Sequence, residues 1–340
     1  MESSRARRRR ARPSRGRAFV HTALAVAAIA GVTAGGTAYV TARAHSGPVS
    51  SAKSPSPASS SWSWSSSSAS ASGEESVEPV AEPTVDRVAL LTESMKSLTV
   101  PASAKVSAAV LSLDSGESAG YGDAAFDTAS IVKVDILATL LLQAQDAGRH
   151  LTATEKAYAT KMIENSDNAS ATALWNTIGR ADGLDAANKR FGLTETEGGD
   201  GALWGLTQTT AADQLVLLQQ VFGDDSKLSE ASRAYLRRLM KNIEADQHWG
   251  VSAVADDSGW ALKNGWLARS TTGLWDVNSI GRVTVDGTAY LVAVLSNGSA
   301  SQAKGISLVE AAAKAAVSAF TDGDSVSGAV AASASATETD

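Results

Sequence analysis

The run Val134 to Leu142, V-D-I-L-A-T-L-L-L, most restricts what this chain can fold into. It is largely apolar around its whole circumference if helical, and such a helix has to be buried. Immediately before it stands Phe126-Asp127-Thr128-Ala129-Ser130-Ile131-Val132-Lys133. A serine followed three residues later by a lysine, at a helix start, puts hydroxyl and amine one turn apart. The helix N-terminus adds unpaired backbone N–H groups and a positive dipole end. That arrangement suits an activated serine. The S-x-x-K pattern is short, however, and a lone match is usually a cap followed by a surface lysine.

Only part of the chain is able to bury that helix. Residues 45–83 are Ser, Ala, Pro and a few acids, with almost no aliphatic side chains. Such a composition cannot offset chain entropy, so a disordered linker is expected, with Trp62 and Trp64 read as incidental. A matching Ser/Ala/Asp-rich tail, 321–340, is also expected to be disordered. Residues 84–320 lie between, a length suited to one large domain.

The segment 1–17 holds Arg5, Arg7, Arg8, Arg9, Arg10, Arg12, Arg15 and Arg17. It runs into an apolar segment, 18–42, with no Asp, Glu, Lys or Arg. About 25 residues suffice to cross a bilayer. The segment reads as an uncleaved signal anchor or as a signal peptide, for which Ala42-Arg43-Ala44 offers a small-x-small site. In both readings the arginines stay in the cytoplasm and the rest is exported. The expected location is the cell membrane with the domain outside, or secretion if the signal is cleaved.

The chain has no cysteine, which excludes disulfides and zinc–thiolate sites. Its four histidines (His21, His45, His150, His248) have no metal-ligand spacing, so no metal and no cofactor are expected. A Ser-His-Asp triad lacks an evident base, although His150 and His248 are available. Beyond the basic segment the chain is acidic, which argues against nucleic acid as a partner. A monomer is expected.

Within residues 84–320 a helix is predicted over Thr84–Leu98, then strands at Lys105–Leu113 and Glu117–Tyr121 around the turn Asp114-Ser115-Gly116. Helices follow after Ser130, from Thr152 to Met162, and over Ala169–Ile178, Leu184–Phe191, Ala211–Val221 and Ser229–Asn242. Strand-like runs at Trp260–Leu267, Leu274–Val285 and Thr288–Leu295 and a helix at Ile306–Phe320 close the domain. The pattern predicts an α+β fold. An antiparallel sheet of about five strands from both chain ends is flanked by helices, with an all-helical subdomain.

Two further motifs stand downstream: Ser166-Asp167-Asn168, alone a good helix N-cap, and Lys263-Asn264-Gly265 in the first late strand. Each is weak alone. In this order and spacing, S-x-x-K, S-D-N and K-x-G resemble the layout of the class A β-lactamase and penicillin-binding superfamily of serine hydrolases. The text around them is similar too: Ser107 to Gly116 resembles the family's opening strand and turn, and Thr209-Thr210-Ala211-Ala212 the helix start after its omega loop. The resemblance covers residues 84–320.

The resemblance implies an acyl-enzyme mechanism. Ser130 is then the nucleophile and Lys133 its base, which requires a lysine pKa lowered by burial or a nearby cation. Ser166 relays a proton to the leaving nitrogen, and Asn168 holds the substrate amide. Lys263 faces Ser166 and the substrate carboxylate. The backbone N–H groups of Ser130 and Trp266 form the oxyanion hole. Gly265 leaves room for substrate, and Asp167 fixes its loop. The implied function is a serine hydrolase acylated at Ser130 by a β-lactam or related amide and freed by hydrolysis; the alternatives are a D,D-peptidase or penicillin-binding-type enzyme on cell-wall peptides and a slowly acylating wall-binding or sensor domain.

Two departures from the family pattern matter. The first is at the third motif, where Asn264 replaces the usual Thr or Ser and the large Trp266 stands beside the oxyanion hole. The second concerns deacylation: the loop Leu193 to Asp200 is short, leaving Glu197, or alternatively Glu195, as the candidate for activating the deacylating water. Arg269 and Arg282 are candidates for a carboxylate-binding arginine.

Overall fold

The computed structural model describes residues 85–336, with side chains through 321. The basic segment 1–17, the expected anchor 18–42 and the linker 45–83 lie outside the described residues. Among the described residues no helix is long and apolar enough to cross a membrane.

Helix α1 (Arg87–Lys96) leads into the hairpin β1 (Lys105–Ser112) and β2 (Ser118–Tyr121). After the short strand β3 (Phe126–Asp127) comes α2 (Val132–Asp146), then α3 (Ala153–Glu164), α4 (Asn168–Ile178) and α5 (Arg180–Phe191). Strand β4 (Gln208–Thr209) precedes α6 (Ala211–Phe222) and α7 (Glu230–Lys241). Strands β5 (Trp260–Ala268), β6 (Trp275–Val285) and β7 (Thr288–Ser299) and helix α8 (Gln302–Ala336) complete the chain. The fold is α+β, as the sequence pattern predicts.

Local chemistry sets several boundaries. Thr152 and Glu155 form a reciprocal capping box at α3. The side chains of Asp167, Thr210 and Ser229 cap α4, α6 and α7. Asp286 and Gly287, at φ 50° and 81°, supply the turn that joins β6 to β7. Helix α8 runs to Ala336, so residues 321–336 continue the helix where composition predicts a disordered tail. Their alanine content favours that continuation.

The five main strands form an antiparallel sheet in the order β2-β1-β7-β6-β5. It joins the two ends of the domain and leaves β5 at an edge. Both faces are covered, so successive residues of β1 enter different cores: Ala109 and Leu111 one, Ala108 and Val110 the other. The first core contains α2 together with Leu174, Trp175, Leu217 and Leu236 of the helical subdomain. The second packs Leu91 and Met95 of α1 and Val309, Ala316 and Phe320 of α8 on the sheet. Helix α2 is buried along nearly its whole length, including Lys133, Asp135 and Thr139.

Candidate active site

Ser130 stands in a tight 3-10 turn, Ala129–Ile131, at the head of α2. The preceding residue, Ala129, has φ 48°, a left-handed conformation that a Cβ disfavours. The surroundings hold it there. Asn278 Nδ2 on β6 donates to Asp127 O at 2.9 Å and to Thr128 O at 3.0 Å. Thr128 N donates to Thr207 O at 2.9 Å. From the other side β5 presses in at Gly265. A Cβ there would lie 2.7 Å from Thr128 O and 2.8 Å from Ser130 N. The glycine is required by the turn bearing the serine, whereas the family resemblance implies only room for substrate.

Beneath Ser130 the three motifs converge. Lys133 Nζ donates to Ser166 O at 2.7 Å, Ser166 Oγ at 3.0 Å and Asn168 Oδ1 at 2.8 Å. Lys263 Nζ donates to Ser166 Oγ at 3.1 Å, Gln247 Oε1 at 3.4 Å and Asn264 O at 2.8 Å. Ser166 itself sits at φ 55°, a second strained non-glycine residue at the site. Burial lowers the Lys133 pKa to about 7, with the Asp167 carboxylate partly opposing. Burial also takes Lys263 well below the usual ammonium range, and the charge of Lys133 adds to this. Asp167 caps α4 by accepting from Ser170 N at 2.7 Å; the Ser170 hydroxyl first, and this backbone N–H second, hold its carboxyl below the usual range.

Above these groups opens a cleft of about 630 Å³ lined by Ser130, Asn168, Trp204, Leu206, Trp266 and Arg269, among others. Edge strand β5 forms one wall, so alternate backbone N–H groups there are free of the sheet ladder and face outward. Trp204 lines the cleft too. Its Nε1 donates to Thr172 Oγ1 at 3.1 Å, and its ring centroid lies 4.9 Å from Lys133 Nζ. The sequence pattern leaves Trp204 in an unassigned loop; its one signal is a large aromatic ending a glycine- and acid-rich stretch.

Other candidates are placed elsewhere. Asn264 is fully buried, and its Nδ2 donates to Gln247 O at 2.8 Å and Trp249 O at 3.1 Å. Its amide fastens the segment before β5 instead of meeting a substrate carboxylate. Trp266 lines the cleft but packs its ring 5.9 Å from that of Trp249. Glu197 pairs through its backbone with Gln208, at 3.0 and 2.9 Å, and its side chain is exposed. Glu195 is exposed too, and accepts from Thr210 Oγ1 at 3.4 Å. Neither glutamate lines the cleft, and among the described residues no carboxylate lines it. Arg269 lines it with a guanidinium already engaged by Asp127 and, at 3.8 Å, by Asp276. Burial and the neighbouring Asp127 raise the Asp276 pKa to about 6. Arg282 lies outside the cleft, in a groove beside α7.

A family model described as the beta-lactamase enzyme family matches residues 142–320, a span that includes Ser166 to Asn168 and Lys263 and begins after Lys133. Among solved structures, PBP-A is 20% identical with a TM-score of 0.60, over 69% of this chain and 96% of its own. A class A beta-lactamase from Bacteroides cellulosilyticus DSM 14838 is 16% identical with a TM-score of 0.60, covering 69% and 99%. TLA-1 extended spectrum beta-lactamase is likewise 16% identical at 0.60, covering 68% and 98%. At such identities these structures share the fold. No curated protein matches the chain.

Proposed function

The chain belongs to the beta-lactamase enzyme family, and from that premise we propose that it acts on cell-wall peptides as a penicillin-binding or D,D-peptidase-type enzyme acylated at Ser130, and that it releases a β-lactam acyl group only slowly. It is a beta-lactamase-like serine hydrolase. In this reading neutral Lys133 takes the Ser130 proton as the oxygen attacks the substrate carbonyl. The proton then passes through Ser166 to the leaving nitrogen, and the backbone N–H groups of Ser130 and Trp266 hold the oxyanion. Asn168, which lines the cleft, holds the substrate amide, and Lys263 acts from beneath through its hydrogen bond to Ser166 Oγ.

The observation carrying the slow-release reading is the shell around Lys133. Its hydrogen-bond partners are Ser166 and Asn168, and the Trp204 ring lies over its ammonium. Among the described residues no carboxylate lines the cleft to activate a water on the ester. β-Lactams enter the same cleft as poor substrates that leave a persistent acyl-enzyme. A penicillin-G acyl-enzyme complex is known for a point mutant of PBP-A, 21% identical to this chain with a TM-score of 0.59. Export and tethering through residues 18–42 belong to this proposal and are supported by the arginine-to-apolar transition there. Membrane fractionation with external protease digestion tests them.

The direct test is labelling with a fluorescent penicillin. The wild type is expected to give one stable label per chain, on Ser130, and Ser130→Ala none. Steady turnover of a chromogenic cephalosporin overturns slow release. Labelling of Ser130→Ala overturns the nucleophile.

A further inference from the structure

Away from the cleft, helix α7 and the start of β5 enclose a groove of about 420 Å³. Four cations line it, Arg237, Arg238 and Lys241 from α7 and Arg282 from β6, together with Phe222 and Trp260. No carboxylate is among the described residues that line it, although the chain carries a net charge of −6. Arg237 is paired with Glu230. Arg238 lies over the Tyr235 ring, 5.3 Å from its centroid, and Arg282 Nη1 reaches Thr284 Oγ1 at 3.5 Å. Lys241 donates to Ser258 O. Among the described residues, none of these three has a carboxylate within ion-pair distance. Arg238 and Lys241 are exposed.

A concave surface with four cations, of which, among the described residues, only Arg237 is paired with a carboxylate, focuses a positive potential. The cations sit on two adjacent turns of α7 and across the groove on β6, so they suit several anionic groups spaced along one ligand. Trp260 offers no open ring for a nucleobase. Lys241 Nζ lies 4.7 Å from its ring centroid, and His248 packs edge-on at 4.5 Å. Binding of single-stranded nucleic acid normally uses such free aromatic platforms.

We infer that the α7–β5 groove is a binding site for a non-aromatic polyanion carrying repeated phosphate or carboxylate groups. The groove and the cleft share β5: Trp260 and Ala261 line the first, Trp266 to Ala268 the second. Five residue steps along the strand take Ala261 to Trp266, roughly 17 Å. A bound polymer is thereby held within reach of the site on the same edge strand.

The test is titration of the full-length protein with a glycerol-phosphate oligomer and with an oligogalacturonate, at low and high salt. The paired variant Arg238→Gln/Lys241→Gln is expected to weaken binding on the order of tenfold. It should also reduce the slope of log affinity against log salt by roughly two. Penicillin labelling of Ser130 should stay at the wild-type level, which shows that the fold is intact. A second variant, with the arginines of residues 1–17 replaced by Gln, separates the groove from that basic segment and is expected to retain the Arg238- and Lys241-dependent binding. The tighter of the two probes assigns the anion as phosphate or carboxylate. Loss of binding only in the segment variant overturns the site. Tighter binding of a single-stranded oligonucleotide than of either polymer, dependent on Arg238 and Lys241, overturns the ligand class.

Discussion

Lys133 and Lys263 place their ammonium nitrogens on one hydroxyl, Ser166 Oγ, at 3.0 and 3.1 Å. Both side chains are fully buried. Two ammonium charges that close, with little solvent, repel, so the pair favours a state with one neutral amine. The other acceptors of Lys133, Ser166 O and Asn168 Oδ1, are carbonyl oxygens that accept a hydrogen bond and carry no proton to pass on. The Ser166 hydroxyl, by contrast, is able to donate as well as accept. Of the described partners of Lys133, the Ser166 hydroxyl alone has a proton to pass on, as the proposed route requires.

Acylation should follow the neutral form of Lys133, so its rate rises with pH through about 7, where burial places that amine. Asp167 stabilises the charged form and so keeps this limb higher than burial alone would. Asp167→Asn retains an acceptor for the α4 cap and removes the charge. The ascending limb of penicillin acylation is expected to move to lower pH. A limb that stays in place means the titrating group is not Lys133.

Gly265→Ala drives a methyl against Thr128 O and Ser130 N, at 2.7 and 2.8 Å before relaxation. Both atoms are backbone, so β5 and the serine turn must separate. Misplacement by a fraction of an ångström to an ångström costs on the order of a hundredfold in acylation rate. Labelling kinetics at fixed penicillin concentration measure it. A rate within threefold or so of wild type would show that the contact is soft.

Asn278→Ala removes both donors to Asp127 O and Thr128 O, and the acceptor of Ser296 N. Each buried group left unpaired costs roughly 1–3 kcal/mol. A stability loss of several kcal/mol is expected from urea unfolding. A slower acylation should accompany it, because the strained φ of Ala129 loses its restraint. Unchanged acylation in folded protein would remove Asn278 as a positioning residue.

Asp135 is fully buried on α2, accepts from Asn188 Nδ2 at 3.0 Å, and leaves Oδ1 without a partner among the described residues. Burial first, then Asp185 and Asp213, raise its pKa from 3.8 to about 7, with Asn188 and Thr139 opposing. The folded state holds the proton that the unfolded chain releases. Its stabilising contribution is complete below about pH 4 and is lost as pH rises to about 7. The shift corresponds to at most roughly 4 kcal/mol at 1.36 kcal/mol per pH unit. Asp135→Asn should abolish this loss, so the variant gains on wild type between pH 4 and 8. Parallel stability curves for the two proteins would contradict it.

Much of the fold follows from local rules. The capping box at Thr152, the Ser229 cap and the Asp286-Gly287 turn each place an element end within a few residues of chain. The convergence of Ser130, Lys133, Ser166, Asn168 and Lys263 was legible as three spaced motifs. Two-residue strands such as β3 and β4 were not, because so short a pairing carries no periodicity. Trp204 and Asn278 also escaped. A tryptophan in a loop and an asparagine inside a strand acquire meaning only from what they meet across the fold.

By itself the sequence determined the residue types able to do acyl chemistry, their order, and a helix that had to be buried behind them. Tertiary structure decided which of them face the cleft. Asn264 and Gly265 are neighbours on β5, yet the strand turns one inward to the Trp249 carbonyl and sets the other against Ser130 N. Glu197 and Glu195 have the chemistry to activate a water, but the backbone pairing of Glu197 with Gln208 and the Thr210 contact of Glu195 keep both on the surface. Alternation along a strand and the path of a loop are set by long-range packing, which residue identity alone does not encode.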